Sequence, residues 1–151
     1  MSAGAGKQPI EAILQAIFDG READALSAIG LEFGKPATEA LRFSATADSP
    51  GAKETGDEGR RGRVRLANFY ALSVFLMDKE LWDQAVTALG WTIRLSEDAE
   101  ESFFLEESRF RKALCHKKLG QQTELLKEKV MVSADQTFLI GDKVLGIRDL
   151  D

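Results

Sequence analysis

The sequence predicts an all-α fold of stacked antiparallel helical hairpins, with about six helices. Apolar residues recur at helical spacing along most of the chain, and short connections separate the apolar runs. Of the 151 residues, 44% are hydrophobic and 30% are charged, a composition typical of a globular protein. This length suits a single domain. We place it at residues 8–151, after a small, Gly-rich N-terminus (1–7) that is expected to be disordered.

The best-defined hairpin runs from Leu66 to Leu95, with its two helices joined at Asp78–Lys79–Glu80. A connection of this length forces neighbouring helices to lie antiparallel. The spacing predicts which side chains hold the two helices together: Phe69, Ser73, Trp82, Ala85 and Leu89.

Shorter helices are predicted on both sides of this hairpin. Pro9 is suited to the first position of a helix, where its missing N–H costs nothing, and Gly20 is a plausible end. A second helix follows from Arg21 to Ile29. Beyond the central hairpin, Ser96 can cap a helix that ends at Gly120, and 121–130 supplies another.

Two segments depart from this pattern. Residues 44–62 contain turn and breaker residues with almost nothing apolar to bury, which predicts a flexible insert. At 134–149, the capping-box spacing from Ser133 to Gln136 favours a final helix. Two short strands joined by a Gly-Asp turn are the alternative for this second segment.

The central hairpin resembles a tetratricopeptide repeat (TPR), a helix-turn-helix unit of about 34 residues. With Ala85 aligned on the family's small residue, Phe69 falls on the first-helix aromatic. Leu72 and Ser73 fall on its Leu-Gly pair, and Trp82 on the aromatic before the second helix. The resemblance covers about residues 66–97, with degenerate units on either side.

This resemblance implies a protein-interaction module, such as an adaptor, whose first helices line a groove. From the central repeat, the groove would carry Tyr70, Val74, Met77 and Asp78. From the next repeat, it would carry Phe110, Arg111, Lys117 and Lys118. A peptide or helix of a partner protein would bind there. Trp91 is a further candidate contact, and Tyr70 is favoured for the same reason, because exposed aromatic residues are enriched at binding hot spots.

No catalytic, cofactor or metal site is predicted. Cys115 and His116 are the only residues of their kinds, and neighbours in a helix point about 100° apart. They therefore do not form a nucleophile-base pair, and structural zinc needs about four such ligands. Cys115 is expected to be a small buried residue.

Composition narrows the choice of partner and compartment. A net charge of −5 argues against nucleic acid as a partner. No apolar run reaches the length of about 20 residues that a membrane-spanning helix needs, and the cytoplasm is the expected location. A self-associating homodimer with a structural or regulatory role is the alternative function, and a small enzyme with an unrecognised site is a further one.

Overall fold

The computed structural model describes residues 9–39, 52–99 and 102–151, with the side chains of 10–39, 65–98 and 104–151. The predicted disordered N-terminus (1–7) and residues 44–51 of the predicted insert lie outside this part of the chain. Seven α-helices and one two-stranded sheet lie within it, which confirms the all-α fold class. The helices are α1 Pro9–Phe18, α2 Glu22–Phe33, α3 Lys35–Glu39, α4 Ala52–Asp78, α5 Trp82–Ala99, α6 Ser102–Lys118 and α7 Gln122–Lys129.

The predicted central hairpin is formed by α4 and α5. Of the five residues expected to hold the two helices together, four have no exposed surface: Phe69, Ser73, Ala85 and Leu89. The fifth, Trp82, is only half-buried. The buried hydroxyls here bond to the carbonyl four residues earlier in the same helix. Ser73 donates to Phe69 at 2.8 Å and Thr92 donates to Ala88 at 2.8 Å. These bonds satisfy polar groups that would otherwise be costly to bury.

The same turn joins three successive helix pairs. Gly20, Glu80 and Gly120 have positive φ angles of 78°, 60° and 73°. In each turn the next residue donates its N–H to a carbonyl five positions earlier, at 2.9 Å. This pattern is the Schellman motif, in which a left-handed residue ends the helix. The next helix begins two residues after each left-handed position: α2 at Glu22, α5 at Trp82 and α7 at Gln122.

Glu80 occupies the left-handed position that glycine fills in the other two turns. Because a side chain there contacts the following carbonyl, we expect Glu80→Gly to raise the free energy of unfolding by about 1 kcal/mol. Gly120→Ala is the matched opposite change. No atom lies within 4 Å of an added Cβ, so its expected cost of about 1–2 kcal/mol comes from the backbone alone. Urea denaturation measures both, and stability changes of the same sign would contradict the assignment of these turns.

The predicted insert at 44–62 is wrong over 52–62, which form the first turns of α4. The prediction rested on the lack of apolar residues. Lys, Glu and Arg have good helix propensity, however, and the sequence places Asp57 four residues before Arg61, a spacing that stabilises helices. The later turns of α4 are buried and nucleate the helix, so extending it costs little.

The flanking helices complete the core. α1 packs against α4 and α5, and α7 packs against α6. Helix α1 contributes Ile10, Ile13, Leu14 and Ile17, all of which are at most 1% exposed. The predicted first residue of this helix, Pro9, is where α1 begins.

The C-terminal segment forms strands, so the predicted final helix at 134–149 is wrong and its alternative is correct. Strand β1, Thr137–Ile140, pairs antiparallel with β2, Lys143–Gly146, and a 3₁₀ helix, Ile147–Leu150, follows. We call residues 137–150 the C-terminal clasp. Gly141 has a φ of 65° and opens the two-residue loop, a position where type II′ turns require glycine. A helix would have placed this glycine and Gly146 within its turns, where each is destabilising.

Candidate functional site

The C-terminal ends of α4 and α6 and the C-terminal clasp enclose a cleft of about 440 Å³. The two helices lie side by side here, with the Arg111 Nη1 of α6 3.6 Å from the Met77 sulfur of α4. The clasp lies across them, because Phe138 and Leu150 are buried at 5% and 0% exposure. The helices contribute Met77, Asp78, Arg111, Leu114, Lys117 and Lys118.

Five of the nine predicted partner contacts therefore line one cleft. Met77 and Asp78 come from α4, and Arg111, Lys117 and Lys118 come from α6. The two α4 residues are more than 30 positions away from the three α6 residues in the sequence. Only the packing of the two helix ends brings them together.

Arg111 connects the helices to the clasp. Its side chain is almost buried, and its Nη2 donates a hydrogen bond to the Leu139 carbonyl at 3.1 Å. Its Nη1 lies 3.6 Å from the Met77 sulfur, and its Nε lies 3.5 Å from a Glu107 carboxylate oxygen. The guanidinium also lies 5.4 Å from the centre of the Tyr70 ring. Because its two terminal nitrogens contact Met77 and Leu139, Arg111 is fixed in the wall of the cleft.

Tyr70 lies beside the cleft, in contact with Arg111, and does not line it. Its ring packs edge-on against Phe104 at 5.3 Å. Burial raises the pKa of the Tyr70 phenol, and the Arg111 guanidinium acts in the opposite direction. Val74 is half-buried on the same helix and also lies outside the cleft lining. Two of the predicted partner contacts, Tyr70 and Val74, therefore lie outside this cleft.

Phe110 does not offer an exposed surface to a partner. It is fully buried, and its ring stacks on that of Phe138 with centroids 4.6 Å apart and an angle of 18°. The predicted position on the inner face of α6 is therefore occupied by the chain's own clasp. Because the prediction gave the helix at 134–149 no packing partner, it left this face uncovered.

Trp91 belongs to a different surface. It packs edge-on against Phe18 at 6.3 Å and Phe69 at 5.8 Å. With Gln15, Arg94 and other residues of α1 and α5, it lines a separate depression of about 280 Å³. Trp91 therefore lies outside the cleft that five of the other predicted contacts line.

The lysines of the cleft are held by uncharged groups. Lys117 donates its Nζ to the Asp149 carbonyl at 2.8 Å, and Lys118 places its Nζ 5.9 Å from the centre of the Trp82 ring. Lys143, on β2, is exposed at the opposite wall. Their ammonium groups are thus positioned at the cleft.

The clasp residues of this site were missed by sequence reasoning. Ile140, Gly141, Lys143, Leu145 and Asp149 line the cleft. The available signal was the run from Thr137 to Gly146, in which a Gly-Asp pair separates two segments of four residues. That pattern is typical of a hairpin.

Cys115 and His116 form no reactive pair. The His116 Nδ1 lies 2.7 Å from the side-chain oxygen of Gln121, across the third Schellman turn. Cys115 is buried with 0% exposure, as predicted. Among the side chains that the structure describes, no three His, Cys, Asp or Glu residues are grouped so that they could hold a metal ion.

Burial raises the pKa of the Cys115 thiol to about 12, so the native chain carries almost no thiolate near pH 8. We expect iodoacetamide to leave native Cys115 unmodified at this pH and to alkylate it in concentrated urea, as measured by intact mass. An unfolded thiol releases its proton near pH 8.5, whereas the native thiol keeps its own. Stability should therefore fall as pH rises from about 9 to 12. Rapid alkylation of the native protein would contradict this burial.

The described helices include none that is long and apolar enough to cross a membrane. Comparisons of the chain with protein-family models, curated proteins and solved structures give no match.

Proposed function

We propose that this protein is a non-catalytic interaction module that binds a peptide segment of a partner protein in the cleft between α4, α6 and the C-terminal clasp. The observation that carries the proposal is the cleft itself, which combines apolar walls with charged side chains at its edges. Met77, Leu114 and Leu145 supply the apolar part. Sites with this combination are typical of ligand and peptide binding.

We also propose that the helices are arranged as TPR-like units, and the recurrence of one turn geometry supports this. The three Schellman turns give successive helix pairs the same local geometry, as expected of a chain built from helix-turn-helix units. Residues five positions after each turn, Ala25, Ala85 and Leu125, are all buried. Such units commonly serve as scaffolds for protein recognition.

Selection from a random peptide library against the full chain tests the proposal. The affinity of selected peptides is then compared between two variants of the same strand. Lys143→Trp places a large ring at the cleft, and Val144→Trp places the same ring on the outer face of the clasp, since neighbouring strand residues point to opposite sides. Both positions are exposed, so both variants should fold.

We expect Lys143→Trp to weaken binding by at least about ten-fold and Val144→Trp to leave it unchanged. Selected peptides that bind both variants as they bind the wild type would place recognition outside the cleft. A library that yields no specific binder would overturn the proposal that the chain is a peptide-binding module.

Self-association is the alternative function that one observation favours. Leu139 and Val144 are cross-strand partners, and they are 59% and 68% exposed on the outer face of the clasp. If this face joins two copies, sedimentation at micromolar concentration should show a dimer that Leu139→Lys converts to a monomer. A wild-type monomer at all concentrations would exclude it.

A further inference from the structure

The C-terminal clasp forms one wall of the cleft, and the helices form the other. Ile140, Lys143 and Leu145 line the clasp wall. Met77 and Leu114 are among the residues that line the helix wall. We propose that the clasp is a lid that opens as one unit while the helices stay folded, so that closure of the clasp and binding in the cleft stabilise each other. The coupling to binding rests on the proposed function, whereas the opening itself does not.

The clasp is attached to the helices by few buried side chains. Phe138 and Leu150 are 5% and 0% exposed. The partly buried apolar residues of the clasp are Ile140, Leu145 and Ile147. The helices bury many more apolar side chains among themselves, and an isolated two-stranded hairpin is marginally stable at best. The free energy that holds the clasp in place is therefore smaller than the free energy that holds the helices together, so the clasp can open below global unfolding.

Residues 133–136, directly before the clasp, can act as the hinge. Ala134, Asp135 and Gln136 are exposed. The main-chain hydrogen bond that the structure describes within this segment joins the Gln136 N–H to the Ser133 carbonyl at 3.4 Å, which is longer than usual. Because this bond is long and local, the chain can bend here without disturbing α7.

The polar contacts between the helices and the clasp can be exchanged for water. Arg111 donates to the Leu139 carbonyl at 3.1 Å, and Lys117 donates to the Asp149 carbonyl at 2.8 Å. Both acceptors are main-chain carbonyls, which water satisfies once the clasp has left. The ion partner of Arg111 is Glu107, on the same helix. Opening therefore leaves these carbonyls hydrated and does not separate the Arg111 ion pair, a step that would be costly.

The clasp keeps its own hydrogen bonds when it moves. Its two strands pair with each other. The Asp149 carboxylate accepts a hydrogen bond from the Gly146 N–H at 2.7 Å, which ties the 3₁₀ helix to the end of β2. These internal bonds connect Phe138 and Leu150 within one body, so the two buried residues should leave the helices together.

The open state has no cleft, because five residues of the cleft lining belong to the clasp. A segment that contacts both walls binds only the closed state, and its binding free energy is added to that of closure. In turn, the apparent affinity of the segment is reduced by the fraction of molecules that are open. A change in conditions that opens the clasp therefore weakens binding in the cleft.

Amide hydrogen exchange of the full wild-type chain tests the opening. Exchange rates at several urea concentrations below the unfolding midpoint separate local, sub-global and global opening. We expect the protected amides of 137–146 to share one opening, which is at least about ten-fold more frequent in water than the opening that exposes α5. Equal opening of the clasp and α5 at every urea concentration would overturn the proposal, and so would separate openings of individual clasp amides.

Leu150→Ala tests whether the clasp moves as one unit, because Leu150 lies in the 3₁₀ helix and the reporting amides lie in the strands. We expect exchange in 137–146 to become roughly thirty-fold faster or more, with α5 unchanged. Leu150→Val is the milder variant, for use if alanine unfolds the chain, and should accelerate the same amides about two- to ten-fold.

Val144→Ala is the matched control for both variants. Val144 is 68% exposed on β2, so its change should leave the exchange rates within about two-fold of the wild type. If neither Leu150 variant accelerates exchange in β1, the 3₁₀ helix and the strands do not move together and the proposal is wrong.

A selected library peptide whose binding Lys143→Trp weakens tests the coupling. At a free concentration of ten times its Kd, it should slow exchange in 137–146 of the wild type by about ten-fold. A peptide that binds the cleft and leaves this exchange unchanged would overturn the coupling while the proposed function stands. If the library yields no binder, the proposed function is overturned, and exchange in the free protein decides the opening separately.

Discussion

Replacing Arg111 with alanine is expected to lower the free energy of unfolding by about 3–5 kcal/mol, the usual cost of removing one partner of a buried ion pair. The Arg111 side chain is 7% exposed and that of Glu107 is 14% exposed. Alanine would leave the glutamate carboxylate without its counter-ion in a site that water barely reaches. The Leu139 carbonyl would also lose its hydrogen bond.

Urea denaturation of Arg111→Ala measures this loss, and Lys127→Ala is its control. Lys127 pairs with Glu124 at 3.7 Å, but both side chains are at least half exposed, so this change should cost at most about 1 kcal/mol. If the two variants lost the same stability, Arg111 would not be the buried connection described here. The double variant Arg111→Met/Glu107→Leu should recover much of the loss, since it removes both charges.

The second large effect concerns the attachment of the clasp. Phe138→Ala removes the ring that stacks on Phe110, and truncation of a buried Phe costs about 3–5 kcal/mol. Because Phe138 is the buried residue of β1, the loss should fall on the docking of the clasp more than on the helices. Amide hydrogen exchange should show faster exchange in 137–150 and unchanged protection in α5.

Leu139→Ala provides the comparison for this change. Leu139 follows Phe138 on the same strand but is 59% exposed, so it should cost less than about 1 kcal/mol. Slow exchange of the clasp in Phe138→Ala would mean that the ring stack does not attach it. Faster exchange in α5 would mean that the clasp and the helices unfold as one unit.

The central hairpin was predictable because one physical signal determines it. Residues such as Phe69 and Leu89 repeat at the helical period, and only an antiparallel pair can bury them across a three-residue connection. Two of the three Schellman turns were predictable from the sequence, because Gly20 and Gly120 are glycines, which a left-handed position favours. Glu80 gives no such signal.

The clasp and the start of α4 could not be predicted in the same way. Ser133 and Gln136 satisfy the spacing of a helix cap, but that local signal competes with the strand pairing of 137–146, which buries Phe138 on Phe110. Over 52–62 the sequence lacks any apolar period, and the helix there depends on propensity and on turns that are buried further along α4. The strands of the clasp and the start of α4 both depend on residues elsewhere in the chain, which supply either a packing contact or the helical turns that nucleate the helix.

The candidate site was predicted in part for a related reason. The TPR-like register predicted that α4 and α6 face a common space, and Met77 and Lys118 do share a cleft. It carried no information about which segment covers α6. Phe110 was therefore expected to face a partner, although its own chain already covers it.

The Phe110–Phe138 stack has a consequence for competition between ligands. Phe138 belongs to the same chain as the ring that it covers, so its contact is intramolecular and does not depend on protein concentration. An aromatic side chain of a partner would have to displace it, and its apparent affinity would fall by the fraction of time for which Phe110 is uncovered. A partner that enters only the cleft avoids this competition, because it binds while the clasp stays in place.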